Sequence, residues 1–166
     1  MSEESPRNYL TAVESRLATD GCKPEWQDWS GVRVLVGRRS DFKLRWAATN
    51  LHVFTIAAAV PEISVGTIDT FTSQALGFAK KNKGGLPVGM QTGVAVFPVL
   101  ISERVDPAAV AWAEEKQRNQ FACFARPVVV DTARHYVGLF RGKPVLGRIY
   151  ASHLTGKGQR YFDHPA

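Results

Sequence analysis

From Val32 to Val60 the chain reads VRVLVGRRSDFKLRWAATNLHVFTIAAAV, and its apolar positions recur with the period of a β-strand. Val32, Val34 and Val36 share one face of a first strand, with Arg33 on the other. Phe42, Leu44 and Trp46 share one face of a second, with Lys43 and Arg45 opposite. Gly37-Arg38-Arg39-Ser40-Asp41 supplies turn residues between them, because glycine tolerates positive φ and Ser and Asp bond to their own backbone. A third run, Leu51 to Val60, is apolar on both faces apart from His52 and Thr55, which predicts a strand covered on both sides. Thr49-Asn50 is the expected turn before it, and Pro61 ends it because proline has no N–H for the ladder. The pattern predicts a three-stranded antiparallel meander.

Helical spacing governs the flanks. Ser5-Pro6 reads as a cap followed by proline at the first helical position. Tyr9, Leu10, Val13 and Leu17 then form an apolar stripe, and Asp20-Gly21 ends the run. Lys23 to Ser30 reads as a polar connection whose Trp26 and Trp29 cover the edge of the core. After Pro61, Ser64 caps a second helix with Ile68, Phe71, Ala75, Phe78 and Ala79 inward, and Lys80, Lys81 and Lys83 gather at its C-terminal end before Gly84-Gly85. Gly93 to Ser102 predicts a doubly covered central strand, although Pro98 opposes that placement. Asp106-Pro107 opens a third helix with Val110, Ala111 and Ala113. Phe121 to Asp131 predicts a strand centred on Val128, Val129 and Val130, turned by Asp131 to Arg134 into a last strand, His135 to Arg141. Val145 to Leu154 predicts a short fourth helix, ended by Thr155-Gly156-Lys157-Gly158, and residues 1–5 and 158–166 read as flexible tails.

The expected order is α-β-β-β-α-β-α-β-β-α. It describes a single α+β domain, with the meander extended into a mixed sheet of about six strands and flanked by about four helices. A length of 166 residues suits one domain with a real core. Shares of 45% hydrophobic and 22% charged residues are those of a soluble globular protein. No apolar run approaches the ~20 residues of a membrane span, and MSEESPRNYL lacks the apolar segment of a secretory signal. Two cysteines, Cys22 and Cys123, make no disulfide framework and point to a reducing cytoplasm.

The net charge is +6, and from Thr132 onward six cations stand against one acid, Asp163. Such an excess favours an anionic partner. Little else in the sequence suggests chemistry. His52, His135, His153 and His164 are widely separated, and neither cysteine has a second ligand at zinc spacing. Cys123 has apolar neighbours, so a catalytic pair with His135 is outweighed by an inert packed thiol. G-x-S-x-G, G-x-G-x-x-G and the phosphate-loop motif are all missing. No cofactor, metal site or catalytic residue is therefore expected.

Two kinds of resemblance add to this. The α-β-β-β-α-β start resembles the core order of PD-(D/E)xK nucleases, which implies divalent-metal chemistry from an acid on one strand and an acid-x-Lys triplet on the next. Asp41 is the only candidate for the first acid, and Leu51 to Val60 contains neither an acid nor a lysine, so the resemblance extends to the scaffold alone. The same order is similar to the secretion-chaperone-like fold, a protein-binding scaffold. At residue level, Gly37-Arg38-Arg39-Ser40-Asp41-Phe42-x-Leu44-Arg45-Trp46 and Arg104-Val105-Asp106-Pro107 resemble a family of small proteins of high-GC actinobacteria. That resemblance implies a bacterial cytosolic setting and brings no activity with it.

A surface remains. If the first two predicted strands pair as a hairpin, Arg33, Arg38, Arg39, Lys43 and Arg45 lie close together on a polar sheet face. The leading expectation is a non-catalytic module that binds a protein partner or a second copy of itself. The alternative is a nucleic-acid binder that uses those five cations against a phosphate backbone.

Overall fold

A computed structural model describes residues 4–43, 49–83, 92–115, 118–120, 123–141 and 151–162. Helix α1 (Glu4–Thr19) forms where Tyr9, Leu10, Val13 and Leu17 share a stripe, and all four are buried. It ends before Gly21, whose φ of 88° lets the chain turn away. Three antiparallel strands follow, β1 (Glu25–Trp29), β2 (Val32–Lys43) and β3 (Thr49–Ala59). Helix α2 (Val65–Asn82) starts at Ser64, whose side chain accepts a bond from the Thr67 amide. It crosses to β4 (Thr92–Ser102), which runs parallel to β3. Helix α3 (Pro107–Glu115) is capped by Asp106, whose Oδ1 accepts from the Ala108 amide at 2.9 Å. Then come β5 (Arg118–Gln120), β6 (Cys123–Ala125), β7 (Val128–Asp131), β8 (Tyr136–Leu139) and helix α4 (Ala151–Phe162).

The result is the expected α+β class: a meander extended into a mixed sheet, with four helices among the described residues. Among those residues the sheet has eight strands instead of about six, in the order β1-β2-β3-β4-β6-β5, with β7 also on β4 and β8 on β7. Each face carries its own core. Leu17, Leu35, Val53, Phe97 and Tyr161 pack on the side of α1 and α4, while Val34, Phe54, Phe71, Val96 and Ala113 pack on the side of α2 and α3.

The expected hairpin within residues 32–46 is corrected. Residues 32–43 form one strand, paired to β1 through Val32 to Val36 and to β3 through Val34 to Lys43. Gly37 is no turn. It faces α1, where a Cβ would lie 2.8 Å from Leu17 Cδ1, so its missing side chain lets the helix approach the sheet. Thr49-Asn50 likewise lies within β3. Leu44, Arg45 and Trp46 fall outside the described residues. The supposed polar connection holds β1 instead. Its two tryptophans do cover core edges, and their indole N–H groups donate to Glu14 Oε2 at 2.7 Å and Gln27 Oε1 at 3.1 Å.

Proline and glycine shape the central strand, its neighbours and the last helix. Pro98 does sit within a central strand. Val94 to Val96 pair with β6, Val99 to Ser102 pair with β7, and Phe97-Pro98 face the gap at Arg126-Pro127. Val96 O accepts from the Arg126 amide at 2.9 Å. Backbone groups alternate sides along a strand, so the missing N–H of Pro98 faces a ladder already broken by Pro127. The predicted single strand over 121–131 is split at the same place. At the other end of the chain, α4 runs through Gly156 and Gly158 to Phe162, and Tyr161 and Phe162 are fully buried. Residues 158–162 are therefore helix, not a loose tail. Glu4 and Ser5, expected to be mobile, open α1.

Candidate functional site

Successive residues of β2 face opposite helices. Leu35 joins the core under α1 and α4, whereas Val34 and Val36 join the one under α2. Arg33 and Arg39 therefore project to one side of the sheet and Arg38 to the other. The guanidinium of Arg33 lies 4.5 Å from the Trp26 ring centroid. Arg39 pairs with Asp20 Oδ2 at 2.9 Å and also donates to the Asp20 carbonyl oxygen. Arg38 is exposed, donates to the Lys83 carbonyl oxygen at 2.6 Å and lies 5.2 Å from the Phe54 ring centroid. Lys43 ends β2, but its side chain lies outside the described residues, as does all of Arg45. Arg33 also lies about 17 Å along the strand from Arg38, at roughly 3.3 Å per residue. The structure thus divides the three nominated cations whose side chains it describes, Arg33, Arg38 and Arg39, between two faces of the sheet and along the length of β2.

Arg38 has different company from that expected. Ser40, His52, Val94 and Cys123 are successive register partners across β2, β3, β4 and β6, on the face that α2 covers. The last turn of α2 brings Lys80 and Lys81, both exposed, to this end of the sheet, and Lys83 caps the helix. Arg38 reaches across to that cap, a favourable place for a cation at the negative end of the helix dipole. It forms no ion pair with any carboxylate of the described residues. His52 is half-buried, and its Nδ1 is sealed from solvent without a hydrogen bond. Burial first, and then the charges of Arg38 and Lys83, push its imidazole below the ordinary histidine range.

Cys123 is fully buried, and burial pushes its thiol up against the opposing pull of Lys80 and Lys83. It starts β6, whereas His135 lies in the turn beyond β7 with a φ of 53°. The two residues that could have made a nucleophile and its base stand at opposite ends of the sheet.

A second group of cations surrounds a carboxylate. The Asp20 side chain is 5% exposed. Lys157 Nζ reaches its Oδ2 at 2.6 Å, Arg160 Nε its Oδ1 at 3.2 Å, and the Tyr161 hydroxyl donates to Oδ2 as well. Burial alone would raise the Asp20 carboxyl, but the bonds from Lys157 and Tyr161 and the charges of Lys157 and Arg39 outweigh it and hold the group below its usual range. Burial, and next the bond to Asp20, push the Tyr161 phenol well up. Arg16 adds a 2.6 Å bond to the Tyr161 carbonyl oxygen. This cluster ties α1, β2 and α4 together. Ending the last helix at Leu154, with Thr155 to Gly158 as its terminator, hid it from sequence reasoning. The spacing of Leu154, Gly158, Tyr161 and Phe162, one helical stripe, was the available signal.

Other features are built for packing or shape. Arg126, fully buried at the break between β6 and β7, donates to Thr155 Oγ1 at 3.1 Å, and burial pushes its guanidinium down to about 10. An apolar cleft of about 310 Å³ lies between α2 and the sheet, walled by Trp29, Val32, Val34, Phe71 and Leu100. A polar cleft of about 330 Å³ lies at the carboxyl ends of β4 and β7, lined by Glu62, Glu103, Arg104, Asp106 and Arg134. Among the described residues, no three of His, Cys, Asp and Glu are grouped to hold a metal ion. No helix of the described residues is long and apolar enough to cross a membrane. Compared with family models, curated proteins and solved structures, the chain finds no match.

Proposed function

We propose that the chain is a binding module for a polyanion, with the phosphate backbone of nucleic acid as the ligand class. The contact surface is the end of the sheet that carries Arg38, Lys80 and Lys81, beside the buried Lys83 that caps α2. One observation carries the reading: Arg38 is exposed beside the lysine-bearing terminus of α2 and pairs with no carboxylate of the described residues. Cations of this kind give up counterions when they meet a phosphate backbone, and the affinity falls steeply with salt. Arg33, at the far end of the strand, is not needed. Binding of this sort needs charge and shape alone, without a catalytic group. It belongs in the cytosol, where Cys22 and Cys123, both free, stay reduced.

The test is fluorescence anisotropy with short labelled DNA and RNA strands over a salt series. Binding should weaken along a linear log–log salt plot. Lys81→Ala, at an exposed residue with no bond to lose, should weaken binding to every sequence alike and lower the salt slope by about one. Absence of binding to any strand at low salt removes the reading.

A second reading, a protein partner or a second copy of the chain, is favoured by the apolar cleft. Trp29 and exposed Val32 give it an aromatic and aliphatic rim, and aromatic residues are enriched in interface cores. Size-exclusion chromatography with light scattering separates the cases. A strict monomer at all concentrations removes self-association, and a Val32→Asp protein that captures the same partners as wild type removes the cleft as the contact.

A further inference from the structure

We propose that His52 couples anion binding at this end of the sheet to proton uptake, so that the protein holds a phosphate backbone more tightly as pH falls. The inference rests on the polyanion reading above and adds its regulation.

Position comes first. His52 lies on the α2-facing side of β3, between Ser40 of β2 and Val94 of β4. The charged groups around it come from β2 and α2. Arg38 lies two residues before Ser40, and Lys83 caps the helix. Lys80 stands one turn earlier, and β4 offers only the apolar Val94. Cys123 of β6, beyond Val94, stays a neutral thiol because burial raises it. No carboxylate of the described residues pairs with His52 or Arg38.

The protonation state follows. A charged imidazole would carry an N–H at Nδ1, sealed from water and without an acceptor, among like charges. The free protein therefore keeps His52 neutral at neutral pH. Its buried face is the Nδ1 side, which leaves Nε2 as the nitrogen toward solvent.

An anion held beside Arg38 offsets the like charges that, after burial, disfavour the charged ring, and it offers an oxygen to Nε2–H. Both changes favour imidazolium, so the complex takes up a proton that the free protein does not hold. Linkage is reciprocal, and what binding does to the proton the proton does to binding. The sign is fixed by this order. Affinity is lowest where His52 is neutral in both states, rises as pH falls through the bound-state midpoint, and levels off below the free-state midpoint. A phosphodiester keeps one fixed charge over this range, so an oligonucleotide probe contributes no titration of its own.

The experiment measures anisotropy with one labelled oligonucleotide at fixed salt, at about pH 7.5 and about pH 5.5, on either side of the usual histidine midpoint. Wild type should bind roughly three- to tenfold more tightly at the lower pH. His52→Gln should bind at both and lose most of that difference, whereas His135→Gln, altered beyond β7, should keep it. Equal wild-type affinity at the two pH values, or an undiminished difference in His52→Gln, overturns the inference while leaving the polyanion reading intact. No binding at either pH, even at low salt, overturns both. If His52→Gln does not fold, the wild-type imidazole is followed by NMR with and without oligonucleotide. An upward move of its midpoint on binding supports the coupling, and an unmoved midpoint ends it.

Discussion

Two groups of cations lie near neighbouring residues of β2, and they do opposite things. On one face Arg39 joins Lys157 and Arg160 around the buried carboxylate of Asp20. On the other Arg38 joins the lysines of the α2 terminus with no carboxylate partner of its own among the described residues. Residue type does not separate the two groups. An internal anion does. Where one is present the cations hold elements together; Arg38, which pairs with none among the described residues, is the cation that the proposed reading offers to an outside ligand. Adjacent arginines in the sequence thus have different work because a strand points successive side chains apart.

The largest way to break the contrast is to remove the internal anion. Asp20→Asn leaves three cations around a neutral amide and should cost about 3 kcal/mol, read as a lowered midpoint of urea unfolding. Where the variant still folds, it should also gain salt-dependent binding to oligonucleotides, because Arg39 and Arg160 lose their counter-charge. Acid sharpens the same point. The folded-state carboxyl of Asp20 is depressed, so its contribution is complete above the unfolded value of about 4 and is lost as pH falls through the folded value. Wild type should lose stability below about pH 4, and Asp20→Asn should show a flatter curve there.

Next in size is Gly37→Ala. A Cβ at that position lies 2.8 Å from Leu17 Cδ1, so the buried Leu17 side chain must give way or α1 must move, at about 1–2 kcal/mol, measured by thermal or urea unfolding. Binding through Arg38, on the opposite face, should be unchanged. The smallest stability effect belongs to Lys81→Ala, within about 0.5 kcal/mol of wild type, since it is exposed and makes no bond. Its consequence should show in the salt slope alone. A Lys81→Ala protein that unfolds early while binding normally would reverse the assignment of the two clusters.

Much of the fold was legible because it rests on strong periodicity. The stripe of α1, the apolar runs of β3 and β4, and the caps at Ser64 and Asp106 all carry their own signals. Two of the failures have one cause in common. Gly37 and Gly158 were read as breakers, yet each lies where two elements approach closely; a Cβ would lie 2.8 Å from Leu17 Cδ1 at the first and a tight 3.1 Å from Leu139 Cδ1 at the second. That role is set by a neighbour distant in sequence, so no local pattern reports it. Strand β1 was missed because Glu25-Trp26-Gln27-Asp28-Trp29 places its tryptophans on opposite faces, which reads locally as no alternation at all. The candidate site suffered most. Treating residues 37–41 as a turn placed Arg38 and Arg39 side by side, whereas an extended backbone separates them by the thickness of the sheet.

The hydroxyl of Tyr9 donates to the carbonyl oxygen of Phe162 at 3.0 Å, across 153 positions of sequence. A layer that closes only through so distant a contact has an order of assembly. While the chain is being synthesised, the side of the sheet that α4 shields stays open to water, with Phe97 and Leu139 uncovered, until residue 162 has emerged from the ribosome. Truncation before that helix should therefore leave Phe97 and Leu139 open to water.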